Sequence, residues 1–323
     1  MEPTSPDKRP LDTRQPHRPT LRVHRSSFLL ALGLFVGQQP ARSQVPAAAD
    51  LWRITTATIA APPALDQGAT ASFWNPAAAI ETRWVAGIQL VQTPDVLGIS
   101  AMLGAVSYAV SPSLQVNFLA GRTDIGGLSR TTTSPSSELG TIPIYEQLAG
   151  LGANLRWGPV HLGLLLRGHD ARFDSDRERG ITADAGIRVA LRPRLALAAA
   201  THFFPMDLTG REYTDYYAAL QYSVKAPNVW GATSEFAVRY GASYREGSAG
   251  GLEHGLGLGW SMNRRFAVDA YLVREVAYGG AALRPSFGVK LKVGRYTIAA
   301  ARASGLNDVG ATYRVGLDLE LAR

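Results

Sequence analysis

Ala311-Thr312-Tyr313-Arg314-Val315-Gly316-Leu317-Asp318-Leu319-Glu320-Leu321, near the end of the chain, alternates without exception. Ala, Tyr, Val and three Leu fall on one side; Thr, Arg, Gly, Asp and Glu fall on the other. A period of two marks an extended strand with one apolar and one polar face. The apolar face of such a strand can cover a soluble core. It can equally meet lipid, with the charged face lining the lumen of a transmembrane barrel. The rest of the chain decides between these readings, and it favours the barrel.

Working back from that stretch, alternation and turn residues mark fourteen candidate strands, from Trp84–Val91 to Gly310–Leu321. Fourteen is even, as a closed bacterial barrel requires. Most segments are close to the roughly 9 to 11 residues that cross a bilayer when tilted. Tight turns at Ser111-Pro112-Ser113, Gly158-Pro159, Arg192-Pro193-Arg194, Met262-Asn263-Arg264 and Gly294-Arg295 alternate with longer polar connections. The longer ones are Arg122–Tyr145, Asp170–Gly180, Phe204–Tyr213, Glu246–Gly251 and Arg274–Ala282; Lys225–Ala232 is long where a short turn is expected. Short turns at one end and long loops at the other are an outer-membrane pattern, with both termini on the short-turn, periplasmic side. The expected fold is all-β: one closed antiparallel transmembrane barrel of about fourteen strands with a short N-terminal plug or periplasmic segment.

Composition agrees. The 323 residues include 33 Gly, no Cys and 18% charged residues, and the mean hydropathy is close to zero. An outer-membrane barrel has such values because every second residue faces inward. The longest apolar run, Phe28–Val36, is nine residues, too short for a spanning helix. Arg18, Arg22 and Arg25 precede it and Ala41-Arg42-Ser43 follows, so residues 1–43 read as a secretory signal with an extended basic n-region. That leader holds seven Lys and Arg against three acids; removing its surplus of four from the net +7 leaves +3. A nucleic-acid partner thereby loses its electrostatic support.

Residues 44–83 do not alternate. Within them lies Phe73-Trp74-Asn75-Pro76-Ala77, where Asn before Pro favours a sharp bend ahead of the first strand. A small-residue stretch, an aromatic-Asn-Pro-Ala segment and then a first barrel strand resemble the N-terminal region of the long-chain fatty acid transporter (FadL) superfamily. Its relatives include the PorV and PorQ barrels of the type IX secretion system. The resemblance covers those five residues and implies a fourteen-stranded barrel with the segment as plug or gate. Ala61-Pro62-Pro63-Ala64 and Gln67 depart from the glycine-rich run of those relatives. The chain thus divides into a signal (1–43), a plug-like segment (44–83) and a barrel (84–323).

Tryptophans test the topology independently. Trp84, Trp157, Trp230 and Trp260 fall at the periplasmic rim, while Phe203, Tyr216, Tyr244 and Tyr313 fall near the opposite one, as expected of interfacial aromatic belts. The lumen face gathers Arg156, Arg167, Asp184, Arg188, Glu235, Arg239, Asp269, Lys290, Arg314, Asp318 and Glu320. Mixed signs allow pairing across strands, and Arg156, Arg167 and Arg188 give the path an anion-leaning stretch. Gly150, Gly152, Gly186, Gly241, Gly255, Gly257, Gly259 and Gly288 share that face and leave room for large neighbours or a plug.

Little points to catalysis. Gly255-Leu256-Gly257-Leu258-Gly259 lacks the spacing of a phosphate loop, and no helix follows it. His161, His169, His202 and His254 are scattered, without a matching Ser and Asp, and no His or Asp cluster has metal-ligand spacing. The charged stretch Asp170–Gly180 reads as a solvated loop facing lipopolysaccharide or solvent. The expectation is a non-enzymatic outer-membrane barrel without cofactor or metal, moving small or hydrophobic solutes. The alternative is a scaffold that binds a secretion or surface partner.

Overall fold

The computed structural model describes residues 51–53, 59–78, 82–95, 97–130, 140–206, 213–229, 231–246, 251–277, 280–304 and 310–322. The signal-like stretch 1–43 and Trp230 lie outside them. Fourteen strands follow a non-repetitive N-terminal segment: β1 Trp84–Gln92, β2 Ile99–Ala109, β3 Leu114–Ile125, β4 Ile144–Trp157, β5 Val160–Phe173, β6 Asp176–Arg192 and β7 Leu195–Pro205. The second half comprises β8 Asp215–Val229, β9 Ala232–Arg245, β10 Glu253–Met262, β11 Phe266–Ala277, β12 Gly280–Val293, β13 Tyr296–Ser304 and β14 Ala311–Ala322. Each strand pairs antiparallel with its sequence neighbours, and β14 returns to β1 with Gln89 opposite Gly316 and Gln92 opposite Tyr313. The sheet therefore closes. Closure leaves no unpaired edge, which is what lipid demands of a spanning β-structure.

The alternation of the C-terminal stretch has the anticipated consequence. Tyr313, Val315, Leu317 and Leu321 of β14 face out and are exposed, while Thr312 and Gly316 face in and are buried. The same holds round the wall, where Leu151, Leu164, Leu256, Leu258 and Leu283 are all exposed outward. So much contiguous apolar surface fits a protein solvated by hydrocarbon rather than water. Leu317→Arg places a cation in the middle of β14 on that outward face. It should cost about 2–4 kcal/mol of unfolding free energy in lipid vesicles, read by denaturant titration; an unchanged midpoint would contradict the lipid contact.

Turn chemistry explains the short-turn end. Gly158 and Gly294 adopt positive φ (59° and 60°) in two-residue turns. Asn263 and Arg264 both take φ above 50°, the mirror-image turn whose twist matches a hairpin. Asn263 also accepts hydrogen bonds from the Thr233 backbone N–H (2.9 Å) and hydroxyl (3.1 Å), tying that turn to β9.

Three connections differ from expectation, the first being Arg274–Ala282, most of which is ladder because β11 runs to Ala277 and β12 starts opposite it at Gly280. Lys225–Ala232 is not a long loop: β8 continues to Val229, and a bulge between Ala226 and Val229 absorbs one extra residue. Pro227, which cannot donate to a ladder, sits in that bulge, and its carbonyl accepts from the Ser234 hydroxyl at 2.6 Å. Asp170–Gly180 is not a loop either. β5 and β6 extend as a hairpin to a turn at Asp174-Ser175. Above the apolar belt the outward hairpin face turns charged, with Asp170, Arg172, Arg177 and Arg179, so the apolar-outward alternation fades while the ladder continues.

Candidate functional site

The inside of the barrel holds the chain's own N-terminal segment. Trp52 lies against Gly121 of β3, where a β-carbon would come within 2.7 Å of the indole. Arg53 pairs with Glu253, the first residue of β10, at 2.9 Å. Both contacts are near the long-loop end. The Ile59 carbonyl accepts from Ser286 of β12 (3.1 Å), and Ala60 and Pro62 press on Gly288 and Gly241. Asp66 then meets Arg314 of β14 at 3.1 Å, and the Ala69 N–H donates to Asp318 at 3.3 Å. Gln89 of β1 bonds the Thr70 hydroxyl. The segment leaves at the short-turn end, where the Ala78 carbonyl accepts from Asn154 of β4 at 3.0 Å. Barrel strand ends Trp84 and Ala322 lie at the turn side as expected, but Leu51–Arg53 do not, so this segment runs the height of the lumen.

Two short 3-10 turns, Pro63–Leu65 and Ala69–Phe73, give it shape. Phe73 to Ala77 lie deepest, all 2% exposed or less apart from Pro76, which is buried too. Asn75 caps its own bend by accepting from the Ala77 N–H (2.9 Å), and it donates to the Ala64 carbonyl at 2.9 Å. That is the Asx-type turn its place before proline demands. Wall glycines mark the closest approaches. A β-carbon on Gly163 would land on the Pro76 carbonyl, and one on Gly186 would meet the Asn75 side chain.

Arg167 of β5 is the hub of the packing. Its side chain and that of Asp184 on β6 have no exposed surface and form an ion pair. Arg167 also donates to the Phe73 carbonyl at 2.6 Å, and its Nη1 lies 2.9 Å from His202 Nε2. The guanidinium carbon stands 4.5 Å from the Phe73 ring centroid and 4.9 Å from that of Phe203, a desolvated cation–π arrangement. The second Asp184 oxygen accepts from the Phe203 N–H at 2.8 Å. Trp74 packs beside His202 and edge-on to Tyr217.

The backbone is bent to build this cluster. The β6–β7 ladder shifts register between Ala183 and Ala185, and Phe203 sits at φ 58°, in the left-handed region. That irregularity reverses the expected parity: Phe203 is not a rim aromatic but is 1% exposed, inside, against Phe73. Simple alternation could not find it. The one local hint was the aromatic run His202-Phe203-Phe204-Pro205 ending a strand.

The other lumen candidates divide into groups. Arg239 pairs with Asp269 at 2.5 Å and donates to Gln221 at 2.9 Å. Glu320 pairs with Lys292, while Arg314 and Asp318 serve the inner segment. Lys290 is half-buried and Glu235 exposed, facing Lys225 in register. Arg156, His161 and Arg188 lie in one row on three adjacent strands near the short-turn mouth. Arg167 is separated from that row, six residues along β5 from His161, with its charge matched by Asp184. Among the described residues no group of three or more His, Cys, Asp or Glu could hold a metal. Trp84 packs against Tyr108 with tilted rings (4.3 Å), Trp260 meets Phe266 edge-on (6.0 Å) and Trp157 is 77% exposed at the turn end.

A cavity of about 40 Å³ remains between the inner segment and the upper wall, lined in part by Arg53, Tyr217, Arg245, Glu253, Tyr271 and Arg284. At roughly 10–15 Å³ of such volume per water, it holds a few waters and no larger solute.

No family model matches the chain, and no curated protein matches it. Solved structures do. The outer membrane protein Omp33 of Acinetobacter baumannii is similar at 9% identity, with 74% of this chain and 98% of that one covered and a TM-score of 0.45. A mutant porin of Rh. blastica shows 11% identity over 73% and 98% of the chains, with a TM-score of 0.41. CdiB from Acinetobacter baumannii shows 9% identity over 73% and 60%, with a TM-score of 0.44. The chain is a closed antiparallel β-barrel of fourteen strands, wrapped around part of its own N-terminal segment.

Proposed function

We propose that the protein is exported by residues 1–43 to a bacterial outer membrane and there keeps its lumen shut with its own N-terminal segment. Small or hydrophobic solutes pass only when that segment is displaced. The observation that carries this reading is the ring of polar contacts from the segment to β1, β4, β5, β10, β12 and β14. They leave no solute-sized space where the upper cavity lies. The Asn75-Pro76 bend at the bottom of that ring is also where the chain resembles the fatty acid transporter and PorV/PorQ superfamily. Lipid and lipopolysaccharide are the surrounding partners, and the chemistry is binding and passage rather than catalysis.

A second reading has its own support. Every described strand is paired with both neighbours, so no gap in the wall offers a side exit. A barrel permanently sealed in this way would serve as a scaffold for a secretion or surface partner.

Planar-bilayer conductance separates the two. The wild type is expected to show essentially no steady current, and a form lacking residues 51–78 is expected to conduct. A folded, truncated barrel that stays electrically silent would sink the transport reading and leave the scaffold.

A further inference from the structure

The outer wall carries a feature that solute passage does not use. An apolar groove of about 460 Å³ runs over β14, β1, β2 and β3, floored by Ala86, Gly104 and Ala120 and walled by Ile88, Phe118 and Leu317. The floor is low because Gly104 and Ala120 are register partners on adjacent strands, opposite Ile88 on the next. Two residues beyond Ala120 on the same face of β3, the apolar surface ends at Arg122. The outward apolar run of β3, Leu114 to Ala120, is therefore seven residues. That falls short of the roughly 9 to 11 of a full crossing, whereas β14 stays apolar outward over the nine residues from Tyr313 to Leu321.

Above the groove the outward face becomes cationic. Asp170, Arg179, Arg172 and Arg177 continue the face on the β5–β6 hairpin, and Asp124 follows Arg122 on β3. Arg122 bonds Asp124 at 2.7 Å and stands 4.1 Å from the Tyr145 ring centroid. Asp170 takes Arg177 at 2.5 Å, Arg179 at 3.4 Å and Gln147 at 3.0 Å. Among the described residues Arg172 reaches only a backbone carbonyl, that of Asp174, at 2.7 Å. The nearby Arg130–Asp174 pair adds no net charge, and Asp176 and Glu178 fall on the opposite face. Four arginines thus meet two carboxylates, and Arg172 stands directly across the ladder from Arg177. Like charges placed opposite one another destabilise a sheet. An anion bound between them reverses that cost, because the guanidinium fork matches phosphate oxygens.

We propose that this wall binds a phosphorylated, acylated lipid, with its phosphate among Arg122, Arg172, Arg177 and Arg179 and an acyl chain in the groove beside Gly104 and Ala120. The chemistry required is that of the lipid A part of lipopolysaccharide. A cationic surface just outside an apolar one selects anionic headgroups in this manner. The inference rests on the barrel spanning a membrane, and the two fail differently. Loss of insertion would count against the span, and insertion without lipid selectivity would count against the site.

The test inserts the full barrel into phosphatidylethanolamine vesicles containing bis-phosphorylated lipid A or its dephosphorylated form, then counts retained lipid by native mass spectrometry. Wild type should retain the phosphorylated form about tenfold better, the scale of one to two charged headgroup contacts. The Arg122→Gln/Arg177→Gln/Arg179→Gln variant should lose that preference. Ala120→Phe, which fills the groove and leaves every arginine in place, should lower retention of both forms. Heat-modifiable electrophoretic mobility verifies folding, and Ala120→Phe remains decisive if the triple variant does not fold. Equal retention of the two lipids by wild type, unchanged retention in Ala120→Phe, or displacement of the lipid by inorganic phosphate alone would overturn the site.

Discussion

Gly163→Leu should expel the inner segment from the barrel. The added β-carbon would fall on the Pro76 carbonyl and Ala77 nitrogen, which are backbone atoms of a bend closed by the Asn75 side chain. Neither can rotate away as the end of a flexible side chain would, so one chain must move. The wall at Gly163 is locked into ladders with β4 and β6, opposite Asn154 and Gly186. The inner segment therefore gives way. Overpacking of a side-chain core costs about 1–3 kcal/mol, occasionally more, and a backbone collision lies at the upper end. Displacing Pro76 also removes the Ala78 carbonyl from Asn154 and the Phe73 carbonyl from Arg167. Protease sites in residues 59–78 should become cleavable in the folded, vesicle-inserted protein, and current should appear in bilayers. Gly168→Leu is the control, since Gly168 faces outward and a β-carbon there meets nothing within 4 Å. If the two variants are equally resistant to protease, the close seat at Gly163 does not hold the segment.

The glycine result bears on what a sequence can carry. The alternation of Ala311 to Leu321 contains the strand, its two faces and, by extension to thirteen siblings, the whole barrel, because pleating obliges successive side chains to opposite sides. Lumen glycines such as Gly186, Gly241 and Gly288 were legible as space, and the structure fills that space with Asn75, Pro62 and Ala60. The partner of each glycine was not legible, since nothing local relates residue 60 to residue 288. Register irregularities were equally hidden. One extra residue near Asp184 turns Phe203 inward, and one at Pro227 extends β8 past the point where proline reads as a stop. Both depend on pairing between strands rather than on any one strand's pattern. Charges on the lumen face were visible as a set, but whether Arg167 lined a path or sat against Phe73 depended on a segment more than ninety residues away.

That buried arginine supports the second large expectation. Arg167→Met should destabilise the protein by about 3–5 kcal/mol, the usual consequence of removing one partner from a buried ion pair. Asp184 would keep the Phe203 N–H as a donor but lose its counter-charge, and the Phe73 carbonyl would lose its wall donor. Methionine retains much of the packing against the Phe73 and Phe203 rings, so the loss is chiefly electrostatic. Asp184→Leu alone strands the guanidinium in the same way and should cost a similar amount. Combined, Arg167→Met and Asp184→Leu leave no unpaired charge, and a double-mutant cycle should recover a large part of the two single losses. Denaturant unfolding measures all four forms, and protease cleavage within 59–78 measures whether the inner segment stays seated. The pair does two separable things. It neutralises a charge inside the wall, which the double variant also achieves, and it donates to Phe73, which the double variant cannot. Global stability should therefore largely return in the double variant while the segment remains easier to cleave than in wild type. A single Arg167→Met loss below about 1 kcal/mol, the scale of an exposed pair, would show that the arginine is not sealed between the wall and Phe73.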